Sequence, residues 1–291
     1  MLNAFSVDVE DYFQVSAFED SIRRDDWPGF EHRVVANTHC LLELLSRFHV
    51  TATFYVLGWT AQEFPGLVRE IAGAGHELAS HSFWHRLVYR MSPAEFREDI
   101  RRSKKAIEDA AGVRVENYRA PSFSITNQSL WAFEILVEEG FTIDSSVFPV
   151  YHDRYGIPDA CRAIHRRQTA AGSIGEFPPA VVRRLGLNLP VSGGGYFRLY
   201  PYRWSRRWLQ QVNQRGEPFV FYTHPWEIDP AQPRLRTGTT MSRWRHYVNL
   251  AQTKHKLEWL LGSFRFGSVR EVMQQTLGAA TSPALSGTAN R

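Results

Sequence analysis

Two histidines four residues apart, His81 and His85 in the run His-Ser-Phe-Trp-His, are the first candidates for chemistry in this chain. On a helical turn that spacing puts both side chains on one face, where they could share a metal ion. Such a pair becomes catalytic only with a third ligand and an open position. Asp8-Val9-Glu10-Asp11 offers three acids after an apolar stretch, and they would repel one another without a cation or an arginine nearby. Strand alternation sets Asp8 and Glu10 on one side, while Asp11 comes as the turn begins and could swing back. Arg119, before the rigid turn Pro121-Ser122-Phe123, could grip a carboxylate and keep it ionised. His224 ends the apolar run 219–223 and has the right intrinsic pKa for a general acid. Asp144 could orient a histidine or pair with the arginine. Singly, each has an ordinary explanation: a solvated turn, a surface arginine, a satisfied core histidine, a turn cap.

What ties them together is their position in the predicted elements. Strands are expected at 4–9, 51–57, 76–80, 115–119, 141–144, 218–223 and near 264–266. Helices are expected near 32–48 and at 64–74, 93–111, 127–139, 202–214 and 242–261, the third with Ser92 as N-cap and Pro93 in its first turn. The stretch 150–200, rich in Pro, Gly and Arg, reads as long loops with short strands. The alternation predicts an α/β fold on a parallel sheet. The candidate residues fall at the C-terminal ends of its strands, the rim where α/β barrels carry their active sites.

The 291 residues, 43% hydrophobic and 22% charged, suit one soluble domain large enough to need no disulfides. The net charge of +4 comes from scattered basic residues, with small clusters such as 101–102 and 183–184 read as solvated faces, so nucleic acid is not an expected partner. Cys40, in an apolar helical run, reads as a buried thiol, and with Cys161 it makes no disulfide framework. No signal segment and no stretch of ~20 apolar residues is visible, so a cytoplasmic protein without a transmembrane segment is expected. Residues 277–291 read as a disordered tail. The Gly193-Gly194-Gly195 run lacks the context of a phosphate loop and reads as a tight turn near the cleft, with Tyr196 and Phe197 as aromatic platforms.

The order of these residues resembles the polysaccharide deacetylase family (NodB homology, carbohydrate esterase family 4). The His-Ser-x-x-His and Arg-x-Pro motifs match at His81–His85 and Arg119–Pro121, while the family's Thr-Phe-Asp-Asp-Gly is replaced by Ser6-Val7-Asp8-Val9-Glu10-Asp11. Segments 8–13, 193–198 and 224–230 further resemble a subfamily of exosortase and exopolysaccharide loci, the PEP-CTERM-associated group. The resemblance implies a distorted, seven-stranded (β/α) barrel of NodB type over residues 1–276, with a core at 4–150 completed by 151–276. It implies a divalent ion, zinc before cobalt, nickel or manganese. Asp8 would be the base, Arg119 its holder, His224 the acid, and Asp144 a further catalytic acid. The ligands would be His81, His85 and Asp11, with Glu10 as the alternative. Pro121, Ser122, Phe123, Glu176, Tyr196 and Trp226 would touch substrate. That substrate would be an N-acetylated poly- or oligosaccharide, an exopolysaccharide or its precursor, met in the cytoplasm or beside a membrane-bound assembly system. Competing readings are an amidohydrolase for small cyclic amides and a non-catalytic glycan binder.

Overall fold

The structure, a computed structural model, describes residues 1–152 and 154–281. Strands β1 (Leu2–Val9), β2 (Thr53–Val56), β3 (Glu77–Ser80), β4 (Asn117–Tyr118) and β5 (Ile143–Asp144) alternate with helices α1 (Val34–Arg47), α2 (Gly58–Glu63), α3 (Pro65–Gly73), α4 (Pro93–Ala111) and α5 (Ala132–Glu138). The second half adds β6 (His165–Thr169), β7 (Gly172–Glu176), the hairpin β8 (Val181–Arg184) and β9 (Leu187–Pro190), then α6 (Gly194–Leu199) and α7 (Tyr202–Gln214). It ends with β10 (Val220–Thr223), α8 (Thr240–Tyr247), α9 (Leu250–Ser263), β11 (Arg265–Gly267) and α10 (Val269–Thr281).

The main sheet runs β10-β1-β2-β3-β4-β5-β7-β6, with β11 paired to the start of β1. Neighbours from β10 to β7 are all parallel, a path of seven strands, and only β6 joins antiparallel. The sheet is curled as in a (β/α) barrel. Among the described residues no ladder joins β10 to β7, so the barrel stays open on that side.

Strand β1 is buried along nearly its whole length, as a strand covered on both faces must be. Phe5, Val7 and Val9 point into the large outer core beneath the helices, while Ala4 belongs to an inner cluster with Tyr55, Ala79 and Val220. Residues of the Ala4 parity (Ser6, Asp8) therefore face the barrel interior. Val269, Val272 and Met273 of α10 belong to that inner cluster and plug one end. Helix α4 carries the expected Ser92 capping box and ends at Gly112 in the left-handed region.

Several expectations are corrected. The 242–261 helix is two helices, broken at Val248 and Asn249, the latter at φ 55°. Cys40 is half-buried rather than buried. Helix α10 runs through Thr281, so residues 277–281 are helical and not a disordered tail; 282–291 lie outside the described residues. Among the described residues no helix is long and apolar enough to cross a membrane.

Candidate active site

Asp8 and Glu10 leave the end of β1, His81 follows β3, Arg119 follows β4 and His224 follows β10, all at the same end of the parallel strands. Arg119 is fully buried. Its Nη1 donates to Asp8 Oδ1 at 2.7 Å and to Ser6 Oγ at 2.8 Å, and its Nη2 donates to Ser145 Oγ at 3.0 Å. The Tyr55 ring lies 4.0 Å from the guanidinium carbon. The arginine therefore has one permitted position, and Asp8 is held by it.

The histidine pair does not sit on a helical face. Residues 81–87 form an irregular loop, with Ser82 at φ 70° and His85 at φ 52°. Asp99 on α4 fixes that loop: the Ser82 hydroxyl and the backbone N–H groups of Phe83 and Trp84 all donate to its carboxylate. Asp99 gave no signal in the sequence, because its role depends on where α4 packs. The His81 Nδ1 lies 2.8 Å from the Arg119 carbonyl, which can only accept, so Nδ1 carries the proton and Nε2 offers its lone pair. Burial, more than any neighbour, lowers His81 to about 4, so this imidazole is neutral at physiological pH.

The third member of the set is Glu10. Its Oε2 lies 2.7 Å from His85 Nε2, and donor atoms of Glu10, His81 and His85 all fall within 4.8 Å of one another. Oε2 is buried and receives no hydrogen bond, while Oε1 accepts one from Trp226 Nε1 at 3.1 Å. Two imidazoles and a carboxylate oxygen without a donor fit a divalent cation well. Asp11, the expected ligand, does not reach this set. It has the opposite strand parity, and its carboxylate accepts from the backbone N–H groups of Tyr12, Arg33 and Val34, closing the start of α1. Burial raises it to about 6, against those three hydrogen bonds.

Opposite stands His224, its Nε2 3.6 Å from Glu10 Oε1 and 3.8 Å from Asp8 Oδ2. Its Nδ1 is 3.3 Å from Glu227, a residue that sequence reasoning missed although it lies three positions on. Burial alone would lower His224, but Glu10, Glu227 and Asp8 outweigh it and raise it to about 9. Burial likewise opposes ionisation of Glu227, yet Arg198 and then His224 hold it down at about 2. Arg198 donates from Nε to Glu227 at 2.8 Å and from its other nitrogens to the carbonyls of Arg245, His246 and Val248. A side chain at Gly193 would collide with the Tyr222 carbonyl, since a Cβ there would lie 1.9 Å from it. The glycine run is thus the point where the chain passes close to β10 and opens α6, the helix that carries Arg198.

Glu10, His85, Arg198, His224 and Glu227 border a cleft of about 610 Å³, and Asp8, His81 and Arg119 are buried behind them. Glu10, His85, Ser122, Tyr196, His224 and Trp226 line it. Other expected substrate contacts do not. Phe123 packs on Phe148 and Tyr222, Pro121 is buried, and Phe197 lies in the core against Phe221. Glu176 is fully buried, accepts from Val147 N–H, and faces Asp144 rather than the cleft. Burial raises both of these carboxyls, and the charge of Asp144 raises Glu176 further. Asp144 accepts from Ser146 instead of reaching a histidine or the arginine side chain.

Residues 22–136 match the polysaccharide deacetylase family. Residues 145–274 match a domain of unknown function, DUF3473. The segment that matches the polysaccharide deacetylase family carries His81, His85, Asp99 and Arg119, and the segment that matches DUF3473 carries Arg198, His224 and Glu227, while β1 precedes both. Similar proteins include a peptidoglycan-N-acetylglucosamine deacetylase of Bacillus cereus, 32% identical over 117 residues that make up 40% of this chain and 41% of that protein. A chitooligosaccharide deacetylase of a Bradyrhizobium species is 29% identical over 92 residues, 32% of this chain and 42% of that one. The chain thus spans about two-fifths of the length of these relatives. Among solved structures, a candidate polysaccharide deacetylase of Mycobacterium smegmatis superposes with a TM-score of 0.62 at 19% identity, covering 96% of this chain and 91% of that one. The PuuE allantoinase gives the same TM-score, 0.62, at 13% identity, covering 96% and 90%. Both share the fold, so the fold by itself does not select a substrate.

Proposed function

We propose that this protein is a metal-dependent deacetylase that hydrolyses N-acetyl groups of a glycan. One observation carries the reading: an arginine-held carboxylate, a buried His-His-Glu set and a second histidine with its own carboxylate converge at one cleft. The names of the relatives, peptidoglycan-N-acetylglucosamine and chitooligosaccharide deacetylases, support the substrate class.

Glu10, His81 and His85 would hold the ion, and this donor set suits zinc, with cobalt, nickel or manganese as alternatives. When bound, the ion supplies Lewis-acid polarisation of a water and of the acetyl carbonyl. Asp8, aimed by Arg119, takes a proton from water at Oδ2, the oxygen that Arg119 Nη1 does not engage. His224, raised by Glu10 and then by Glu227 and held at Nδ1 by Glu227, gives its Nε2 proton to the departing nitrogen as the C–N bond breaks. The products are acetate and a free amine. The backbone N–H of Ser122, a cleft residue at φ 50°, is the candidate donor to the oxyanion. Tyr196 offers a ring to sugar, whereas Trp226 is stacked between His224 and His246, at 5.2 and 4.2 Å, and has no free face.

The polymer we propose is an exopolysaccharide or its precursor; the likeness of segments 8–13, 193–198 and 224–230 to proteins of exopolysaccharide loci supports it. The test is acetate release from N-acetylglucosamine oligomers, with and without chelator. Release that stops with chelator and returns with zinc is expected. A protein that binds no divalent metal would overturn the mechanism. Stoichiometric metal without release would move the search to other N-acetylated glycans.

A further inference from the structure

Residues 177–216 contain no Asp or Glu and seven Arg: 183, 184, 198, 203, 206, 207 and 215. Arg198 is buried in the site, and the other six are exposed. None of the six makes an ion pair among the described residues, whereas Arg24, Arg33, Arg97 and Arg101 elsewhere on the surface all do. An acid-free basic run in a chain of net charge +4 concentrates positive potential on one face.

That face is also apolar. Helix α7 buries Ser205, Leu209 and Val212 and leaves Arg203, Trp204, Arg206 and Arg207 to solvent, with Trp204 57% exposed. Beside it lies the β8–β9 hairpin, joined through Arg184 to Gln211 at 3.2 Å. At its tip Leu185 is fully exposed and Leu187 is 64% exposed, flanked by Arg183 and Arg184. Exposed indole and leucine side chains gain nothing from water, and interleaved arginines gain nothing from an apolar protein partner. A surface with anionic headgroups above acyl chains satisfies both.

We propose that α7 and the β8–β9 hairpin dock this protein peripherally on an anionic lipid bilayer. Trp204 and the hairpin leucines enter the headgroup boundary, and the six arginines meet lipid phosphates. A relay of ring contacts, Trp204–Trp208, Trp208–Tyr200 and Tyr200–Tyr196 at 6.0, 5.0 and 6.3 Å, connects this face to the cleft wall. Docking therefore holds the cleft beside the membrane. The inference stands on this surface alone and does not depend on the reaction.

The test is flotation of the full chain with phosphatidylcholine vesicles, with and without phosphatidylglycerol. Binding only to the phosphatidylglycerol vesicles, weakened by salt, is expected. The triple change Arg203→Gln, Arg206→Gln and Arg207→Gln should weaken partitioning by about a hundredfold, and Trp204→Ala or Leu185→Asn by about tenfold at unchanged charge. Arg101→Gln with Lys105→Gln, on α4, should leave binding intact. All variants change exposed side chains, and thermal melting checks their folding. No flotation with phosphatidylglycerol would overturn the proposal, as would an equal loss in the α4 variant. Binding to dextran sulfate with the same arginine dependence, and no effect of Trp204→Ala or Leu185→Asn on flotation, would also overturn it and make the face a polyanion site.

Discussion

The two walls of the cleft are built on different principles. On one, Asp8, Glu10, His81 and Arg119 stand at the ends of strands β1, β3 and β4, whose parallel ladders fix their spacing. The hydrogen bond from His81 to the Arg119 carbonyl ties two strand ends directly. On the other, His224 and Glu227 follow β10 into a short 3-10 turn, and their support is a buried arginine from α6 that also gathers three carbonyls of the 245–248 segment. The first wall gathers donors suited to a cation; the second carries its own cation, Arg198. A site can thus join a wall set by sheet register to one set by a single ion pair, and the two should fail differently.

The largest expected effect is on the first wall. His81→Ala should lower bound metal well below stoichiometric and cut acetate release by more than about 100-fold, with the fold intact by circular dichroism. Full metal content in this variant would break the assignment. On the second wall, Arg198→Met leaves the buried Glu227 charge without its arginine and should cost about 3 kcal/mol in denaturant unfolding, with metal content unchanged. The acid limb checks the same pair. Glu227, held at about 2, contributes stability that is present above its ordinary value of 4.5 and is lost as pH falls through about 2. Glu227→Gln should therefore lose less stability than the parent protein over that window, measured by melting against pH.

Within one tetrapeptide, Glu10 and Asp11 separate chemistry from scaffolding. Glu10→Ala should lose metal, while Asp11→Ala should keep it and lose about 1–2 kcal/mol of stability through the start of α1. The reverse result would restore Asp11 as ligand. The smallest effect concerns Asp144 and Glu176. Their carboxyls are raised, so the stability they lend is full at low pH and is lost as pH rises. Glu176→Gln should keep activity and melt higher than the parent protein at alkaline pH; loss of activity would make Glu176 part of the machinery after all.

Strand alternation was enough to place Asp8 and Glu10 on one side, and the resemblance that favoured Asp11 pulled against it. Parity prevailed because β1 is buried on both faces and cannot rotate one residue without moving Phe5, Val7 and Val9 out of the core. The His81–His85 pair was visible by spacing, but its helical geometry was not to be had, since Asp99 holds those residues in a left-handed loop from seventeen positions away, as for Ser82. Glu227 lay in view three residues after His224; nothing local said that its counter-ion would be Arg198, 29 positions back. Asp144 looked like a site acid because it ends a strand, and Glu176 was an expected substrate contact, yet the two face each other inside the barrel.

The sequence by itself determined the parallel α/β order, the strand ends that carry the polar groups and the types of those groups, because hydrophobic periodicity and residue chemistry are local properties. Only the tertiary structure decided which carboxylate joins the histidines, which acid backs His224 and which acids are merely buried. Those choices depend on distances between segments far apart in the chain, and at such contacts a few ångströms separate a ligand from a helix cap.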